Sequence, residues 1–541
     1  MKQRNKLDWL RAAIKFVEKP RGGLVFFVLS LVALSALRIF LEQFSSLGRT
    51  FVPFLGAIIH PTLLYAVIIL VVSAIVALIT REKIRRITSA TLLAWSVVLI
   101  VPIVDFIASK GVGNYRTAYL FEGWPTLWRD FLSFFSFGTE VNFGITLGMR
   151  VQIGLFLLLA LLYLAIKTKN WWKTIGGTVL LYVVTFFFAA LPSLIYVVTQ
   201  GWREAGWATA NNVIGFWMGS GELWNAPLTM QAVQGFDLRI IMVLLPLLGI
   251  TALGWFAIYK WKILKELIKT FRWQRLALYF FAIGAGFLLA LKVFPDSQFD
   301  HSFFGIAAAL RVIIGALGAW GFSKHLNDHF DYSGDKLSHP KRLLPRKIIT
   351  PELNLTLAWL FGGLALVSVY PLGFSFTFTV AAILFVNILY SAQPFRIKRW
   401  PIATQFFLGL NILLLVFLGF LLLSPARDFT AFPPLIIVMV LLFAGLLAPL
   451  KDFGDEEGDA VQQVLTLPVI FGPKHSRWIA ALLVFIAFMS VPLLLQTQSL
   501  LLISLGFGVL AAMLVLRPKI YQPLFFLVTG AFWLVTYLVA F

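Results

Sequence analysis

The chain has 541 residues, 60% hydrophobic and 13% charged, whereas a water-soluble domain carries roughly 45–50% apolar and about 25% charged residues. A soluble globular domain is therefore excluded, and so is a disordered chain, since 16% of the residues are aromatic. The absence of Cys removes disulfides, thiol nucleophiles and thiolate metal sites. A net charge of +21 suits membrane orientation better than nucleic acid in such an apolar chain, so no nucleic-acid partner is expected. The composition predicts an all-α polytopic membrane protein whose medium is the lipid bilayer.

A helix crosses the hydrocarbon core with about 20 apolar residues. Six such stretches fall near 24–43, 56–79, 87–108, 148–166, 175–199 and 238–259. Nine more follow near 277–294, 303–323, 354–372, 374–392, 404–424, 432–449, 478–496, 498–516 and 520–540. The total is about 15 transmembrane helices. The first stretch lacks a small-residue cleavage site and more spans follow at once, so it reads as a span and not a signal peptide.

With the N-terminus placed in the cytoplasm, eight segments lie inside: 1–22, 81–86, 167–173, 260–275, 324–352, 396–399, 451–477 and 517–519. They hold 34 of the 45 Lys and Arg, which is the positive-inside pattern and puts the C-terminus outside. Within 261–271, Trp261, Leu264, Leu267, Ile268 and Phe271 share one helical face while Lys262, Lys265 and Lys269 turn from it. Such a helix is expected to lie in the membrane interface. Lys6 to Val17 reads similarly.

Two inner loops of the second half carry chemistry. The first, Asn327 to Pro351, places Asp328, Asp331 and Asp335 at i, i+3, i+7, on one face if the preceding helix continues. The second, Lys451 to Gly472, repeats that spacing in Asp452, Asp455 and Asp459. Like charges on one face repel, so the pattern asks for a cation. Carboxylate oxygens suit Mg²⁺, which takes one or two carboxylates together with waters and phosphate oxygens. Two facing clusters are suited to Mg²⁺ on a diphosphate, with Lys341, Arg342, Arg346, Arg396, Lys398 and Lys451 near enough to meet remaining negative charge. No Gly-rich phosphate loop, HExxH or GxSxG is present.

Asn327-Asp328-x-x-Asp331-x-x-x-Asp335 resembles the first aspartate-rich motif of the UbiA superfamily of intramembrane prenyltransferases. Lys451-Asp452-x-x-Asp455-x-Glu457-Gly458-Asp459, with Thr466-Leu467-Pro468-Val469 and Gly472 after it, resembles the second, in the form most like digeranylgeranylglyceryl phosphate synthase-type members. Tyr390-Ser391 with Arg396 and Lys398 looks like the family's middle inner loop. The resemblance covers about 270–541 and implies a nine-helix bundle. It divides the chain into 1–259, a six-span membrane domain of unassigned role, and 260–541, a UbiA-type domain. Two departures stand out. The family's Pro-Leu-Pro-Ser-Gly-like run is replaced by Leu343-Leu344-Pro345-Arg346-Lys347, and a glycine before the TLPV run is replaced by Gln463.

What the resemblance implies is Mg²⁺-dependent transfer of a prenyl group from a polyprenyl diphosphate donor to a lipid or aromatic acceptor. Asp328, Asp331 and Asp335 would hold one ion, Asp452, Asp455 and Asp459 the other, and Asn327 would orient the first cluster or the diphosphate. Removal of Asp328 or Asp452 is then expected to abolish transfer with folding intact. Arg311, eight residues into its span, is expected either to meet an acceptor's polar group or to pair with an acidic residue. Phosphoribosyl transfer to a polyprenyl phosphate is a rival on the same fold, and a lipid or solute transporter is a rival of another class. The first half carries two long outer loops, 109–147 and 200–237, with Trp124, Trp128, Trp202, Trp207, Trp217 and Trp224, expected chiefly as an interfacial belt. Acceptor identity and oligomeric state are open at this point.

Overall fold

A computed structural model of the chain describes residues 9, 12–45, 55–110, 123–134, 146–200, 210–218, 228–517 and 522–540. Among them, the regular elements are all helical. Six membrane helices come first: α1 (Leu24–Ser45), α2 (Leu55–Thr80), α3 (Ile84–Ala108), α4 (Leu147–Thr168), α5 (Trp171–Gln200) and α6 (Leu228–Lys269). Nine follow: α7 (Trp273–Val293), α8 (Phe303–Phe330), α9 (Pro351–Val369), α10 (Phe374–Ser391), α11 (Pro401–Leu421), α12 (Pro434–Leu447), α13 (Leu467–Leu495), α14 (Leu500–Leu516) and α15 (Gln522–Ala540). Fourteen are long and apolar enough to cross a bilayer, and α14, with 17 residues, is the short fifteenth. The protein is an integral membrane protein.

Local sequence explains the helix ends. Ser302 accepts a hydrogen bond from the Gly305 N–H at 3.3 Å to start α8, and Thr350 accepts from Leu353 at 3.2 Å with Pro351 at the first turn of α9. The apolar run 354–392 is two helices, because Tyr370–Leu372 tightens into a 3₁₀ turn and Gly373 separates α9 from α10. α13 begins at Leu467, ahead of the expected 478, because Gly472 bends it at φ 73°, ψ 160°, a conformation that demands glycine. The polar residues Lys474 to Arg477 just beyond the bend hide that first turn from hydropathy. In α6 the helical path breaks at Lys260 (φ −152°, ψ 67°). Beyond it Lys262, Lys265 and Lys269 are exposed and Leu264 and Phe271 buried, with Trp261 and Ile268 exposed beside the lysines. Lys6 lies outside the described residues.

The chain forms two compact units, Met1–Leu264 and Lys265–Phe541. In the first, Tyr65, Trp95 and Phe156 meet edge to face in a core with Val67, Ile69 and Leu164. Lys167 lies between Glu18 (2.6 Å) and Glu82 (2.8 Å), and His60 meets Asp237 at 2.8 Å. Trp217, expected in an interfacial belt, is instead wholly buried and donates from its indole nitrogen to the Pro192 carbonyl at 3.0 Å. Trp128 is 63% exposed, as a belt residue would be. The side chain of Trp124 and residues Trp202, Trp207 and Trp224 lie outside the described residues.

In the second unit, α7 and α11 touch backbone to backbone. A Cβ at Gly419 would fall 1.8 Å from the Ile283 carbonyl, and one at Gly286 would fall 1.9 Å from that of Val416. Small residues let membrane helices approach this closely, where packing replaces the hydrophobic effect as the source of association. Trp359, Phe385, Ile402 and Leu502 are exposed, which is the expected state of a surface solvated by lipid.

Candidate active site

The first acidic cluster stands at the end of α8. The helix stops at Phe330 and the chain turns at Asp331 into a short helix, Tyr332–Ser338. This places Asn327, Asp331 and Asp335 on one cavity. Asp328 does not line it. Its carboxylate is buried against Arg272 (2.7 Å), Lys324 (3.3 Å) and Arg342 (3.8 Å). Sequence spacing groups Asp328 with the metal-binding carboxylates, whereas the structure sets it off the cavity wall among three cations, because the start of α7 brings Arg272 onto that side of α8.

The second cluster follows α12. Asp452 ends a 3₁₀ turn from Ala448, and Asp455 precedes the short helix Glu456–Val461, which carries Asp459. All three carboxylates line the same cavity. The two loops are laced together. Gly458 N–H donates to Ser338 Oγ at 2.9 Å, Gln462 Nε2 donates to the Asp331 carbonyl at 3.0 Å, and His339 Nε2 meets Asp455 at 2.6 Å. Lys347 and Gln463, the two places where this sequence departs from the family's glycines, both hold left-handed backbone at φ 55°. Non-glycine residues pay roughly 1 kcal/mol there. Lys347→Gly is accordingly expected to raise the thermal midpoint slightly in detergent; a clear fall would show that the Lys347 side chain contributes contacts outweighing the strain.

The cavity has a volume of about 630 Å³. Its mouth is charged, and its depth is apolar, walled by residues such as Leu289, Val416, Phe443 and Trp533 from α7, α11, α12 and α15. At the mouth each carboxylate row faces basic chains. Asp331 is held by Lys398 and by Arg396 (3.2 Å), Asp335 by Arg342, and Asp452 by Lys451 at 2.5 Å. Lys451 also lies 5.6 Å from the centre of the Tyr390 ring. Lys398, Lys451, Arg342 and Tyr390 line the cavity; Arg396 stands behind Asp331, held also by Gln462.

Three residues read from the sequence as substrate-binding are elsewhere. Arg346 pairs with Glu266 at 2.7 Å on the surface, and Lys341 is exposed away from the cavity. Arg311 is 0% exposed, Ser368 Oγ of α9 donates to its backbone carbonyl at 2.6 Å, and its three guanidinium nitrogens have no hydrogen-bond partner among the described residues. Arg311 is not among the residues lining the cavity, and it pairs with no acidic residue among those described. Sequence reading missed Arg272, Arg275, Lys324, His339, Gln462 and the uncharged Tyr279, Ser323, Asn387 and Asn411, all on the cavity wall. Only Lys324 left a signal, its i, i+4 spacing to Asp328.

Crowding sets the protonation of the loop carboxylates. Burial, then the charges of Asp452 and Asp455, push Asp459 up to about 7. Burial also raises Asp335 despite its pair with Arg342. For Asp455 burial acts upward, but the His339 hydrogen bond and charge, aided by Arg342 and Arg275, hold it below the ordinary carboxylate value. Burial lowers Lys398 against the pull of Asp331. Among the described residues no three carboxylates converge into a ready metal cage. Two opposed rows do fit Mg²⁺, which needs only one or two carboxylates when phosphate oxygens and waters complete its shell. The buried Asp335 Oδ2, with no hydrogen-bond partner, is one oxygen available for that purpose.

A ligand cation competes with the proton on Asp459. Its affinity is expected to rise as pH increases through about 7 and to level off above, because the carboxyl is protonated below that value. Calorimetric titration with Mg²⁺ in buffers of different ionisation enthalpy would read the released proton. Equal affinity and no proton release at pH values either side of 7 would remove Asp459 from the site.

A helical membrane bundle with paired carboxylate rows at the mouth of an apolar chamber defines an intramembrane site for an amphiphilic anion. Residues 277–524 match the UbiA prenyltransferase family. Chloroplastic chlorophyll synthase of Arabidopsis thaliana is 28% identical over 169 residues, covering 29% of this chain and 42% of that protein. Digeranylgeranylglyceryl phosphate synthase of Thermococcus sibiricus is 29% identical over 176 residues, covering 30% of this chain and 56% of the relative. The chain thus spans about half the length of these relatives. A UbiA homolog from Archaeoglobus fulgidus, solved bound to DMAPP and Mg²⁺, covers 51% of this chain and 99% of its own at 15% identity, with a TM-score of 0.41.

Proposed function

We propose that the Lys265–Phe541 unit catalyses Mg²⁺-dependent transfer of a prenyl group from a polyprenyl diphosphate to a lipid or aromatic acceptor, releasing diphosphate. The observation that carries this reading is the union of two carboxylate rows with an apolar chamber of about 630 Å³ in one cavity. The chamber holds the tail out of water, and the mouth holds the charged head. Asp331 and Asp335 on one side and Asp452, Asp455 and Asp459 on the other would hold Mg²⁺, which would supply counter-charge to a departing diphosphate. Lys398, Lys451 and Arg342 keep the carboxylates placed and add positive charge where the allylic C–O bond gives up its electron pair. The new bond forms from the acceptor's nucleophilic atom to the allylic carbon, and the acceptor's proton goes to the leaving diphosphate. The apolar walls delay capture of the allylic carbon by water.

On this reading the inner loops face the cytoplasm, as the distribution of Lys and Arg suggests, with the C-terminus outside. The test is Mg²⁺-dependent diphosphate release by the purified chain, offered prenyl diphosphates of several lengths with glyceryl lipids, aromatic acids and quinone precursors. A second arm offers phosphoribosyl diphosphate with a polyprenyl phosphate. Release requiring a prenyl donor is the expected result. Release in the second arm alone moves the unit to phosphoribosyl transfer, and silence in both with Mg²⁺-independent lipid movement in liposomes makes it a transporter.

A further inference from the structure

One turn below the charged mouth, the chamber wall carries an open ring of uncharged polar side chains. Ser323 Oγ donates to Asn387 Oδ1 at 2.6 Å, Asn387 Nδ2 donates to Asn411 Oδ1 at 3.2 Å, and Asn411 Nδ2 donates to the Tyr279 hydroxyl at 3.2 Å. Ser323 and Tyr279 are the two ends of this chain of hydrogen bonds. α7, α8, α10 and α11 each supply one member, and all four line the chamber. Tyr279 lies one turn beyond Arg275, Ser323 one turn before Asn327, and Asn387 one turn before Tyr390. The ring is therefore about 6 Å deeper than the charged layer.

We propose that this ring is the acceptor subsite and that it takes a neutral hydroxyl group; this rests on the prenyl-transfer reading of the chamber. Two asparagines and two hydroxyls facing an apolar cavity cost free energy unless partnered. Within the ring the two asparagines each donate and accept, Ser323 donates and Tyr279 accepts, and Asn387 also donates to the Ile383 carbonyl at 2.8 Å. This leaves the second amide hydrogen of Asn411, and lone pairs on the Tyr279 and Ser323 oxygens, for a ligand. A hydroxyl matches that set, since it accepts and donates at once. A carboxylate does not, because the cation at this depth, Lys324, is engaged by Asp328 at 3.3 Å. A diphosphate at the mouth places its allylic carbon at the level of the ring, so an oxygen bound here stands beside the reacting carbon.

The experiment uses the full chain in lipid nanodiscs with geranylgeranyl diphosphate, hexadecylglycerol as neutral alcohol and hexadecanoate as carboxylate. Binding of each acceptor is measured by calorimetry and transfer by product formation. The expected result is that hexadecylglycerol binds and is prenylated. Tyr279→Phe and Asn411→Leu should each raise its Kd and KM about tenfold, as loss of a buried hydrogen bond does. The KM of the prenyl donor should move less than about twofold. If Asn411→Leu unfolds, Tyr279→Phe, which keeps the ring's shape, decides alone. A preference for hexadecanoate, indifference of both acceptors to the variants, or equal changes in donor and acceptor KM would overturn the proposal and leave the ring as a clasp between helices. Hexadecylglycerol binding that depends on Tyr279, without turnover of any prenyl donor, would keep the hydroxyl subsite and remove the transferase reading.

Discussion

Asp452→Asn is expected to lower Mg²⁺-dependent diphosphate release at least about a hundredfold, ~3 kcal/mol of transition-state stabilisation. The substitution keeps shape and removes charge at a buried carboxylate on the cavity wall. It deletes one ligand oxygen's charge from the second row and frees Lys451, now 2.5 Å from Asp452, to sit uncompensated at the mouth. The effect should fall on kcat and on the Mg²⁺ concentration for half-maximal rate, and much less on donor KM, because the apolar chamber binds the tail independently. A thermal melt in the same detergent separates this from unfolding. Release within about twofold of the parent protein would remove the second row from the chemistry.

Asp328→Ala should act through stability. Asp328 is the common partner of Arg272, Lys324 and Arg342, and the side chain of Lys324 is 2% exposed. Removing one member of a buried charge cluster leaves the others unpaired and typically costs roughly 3–5 kcal/mol. The variant should therefore melt well below the parent protein. Pairing it with Lys324→Met, which removes a stranded cation as well, should recover much of the loss. Unchanged melting together with lost Mg²⁺ dependence would instead return Asp328 to the metal site.

These two carboxylates show how far the sequence could be read. Both belong to clusters of the same i, i+3, i+7 spacing, and spacing alone gives them the same role. The difference arises because the start of α7 delivers Arg272 to Asp328, while Asp452 opens onto the chamber beside Lys451. Arg311 makes the same point. Its depth in the span was legible, but its complete burial off the cavity wall was decided by helix packing. The asparagine ring left no mark in the sequence, since its four members are scattered from 279 to 411 on four helices.

What the sequence determined by itself was the number and placing of the membrane helices, the two acidic loops and the residue types available to hold a phosphate-bound cation. Those are local properties: a run of about 20 apolar residues is enough to cross a bilayer, and carboxylate spacing is fixed by the chain. Tertiary structure decided which of those carboxylates face the chamber, which cations are already engaged, and where uncharged polar groups meet in the apolar interior. These depend on the rotation of each helix about its axis. In lipid that rotation is set by side-chain packing and interhelical hydrogen bonds, with no hydrophobic pattern in the sequence to announce it.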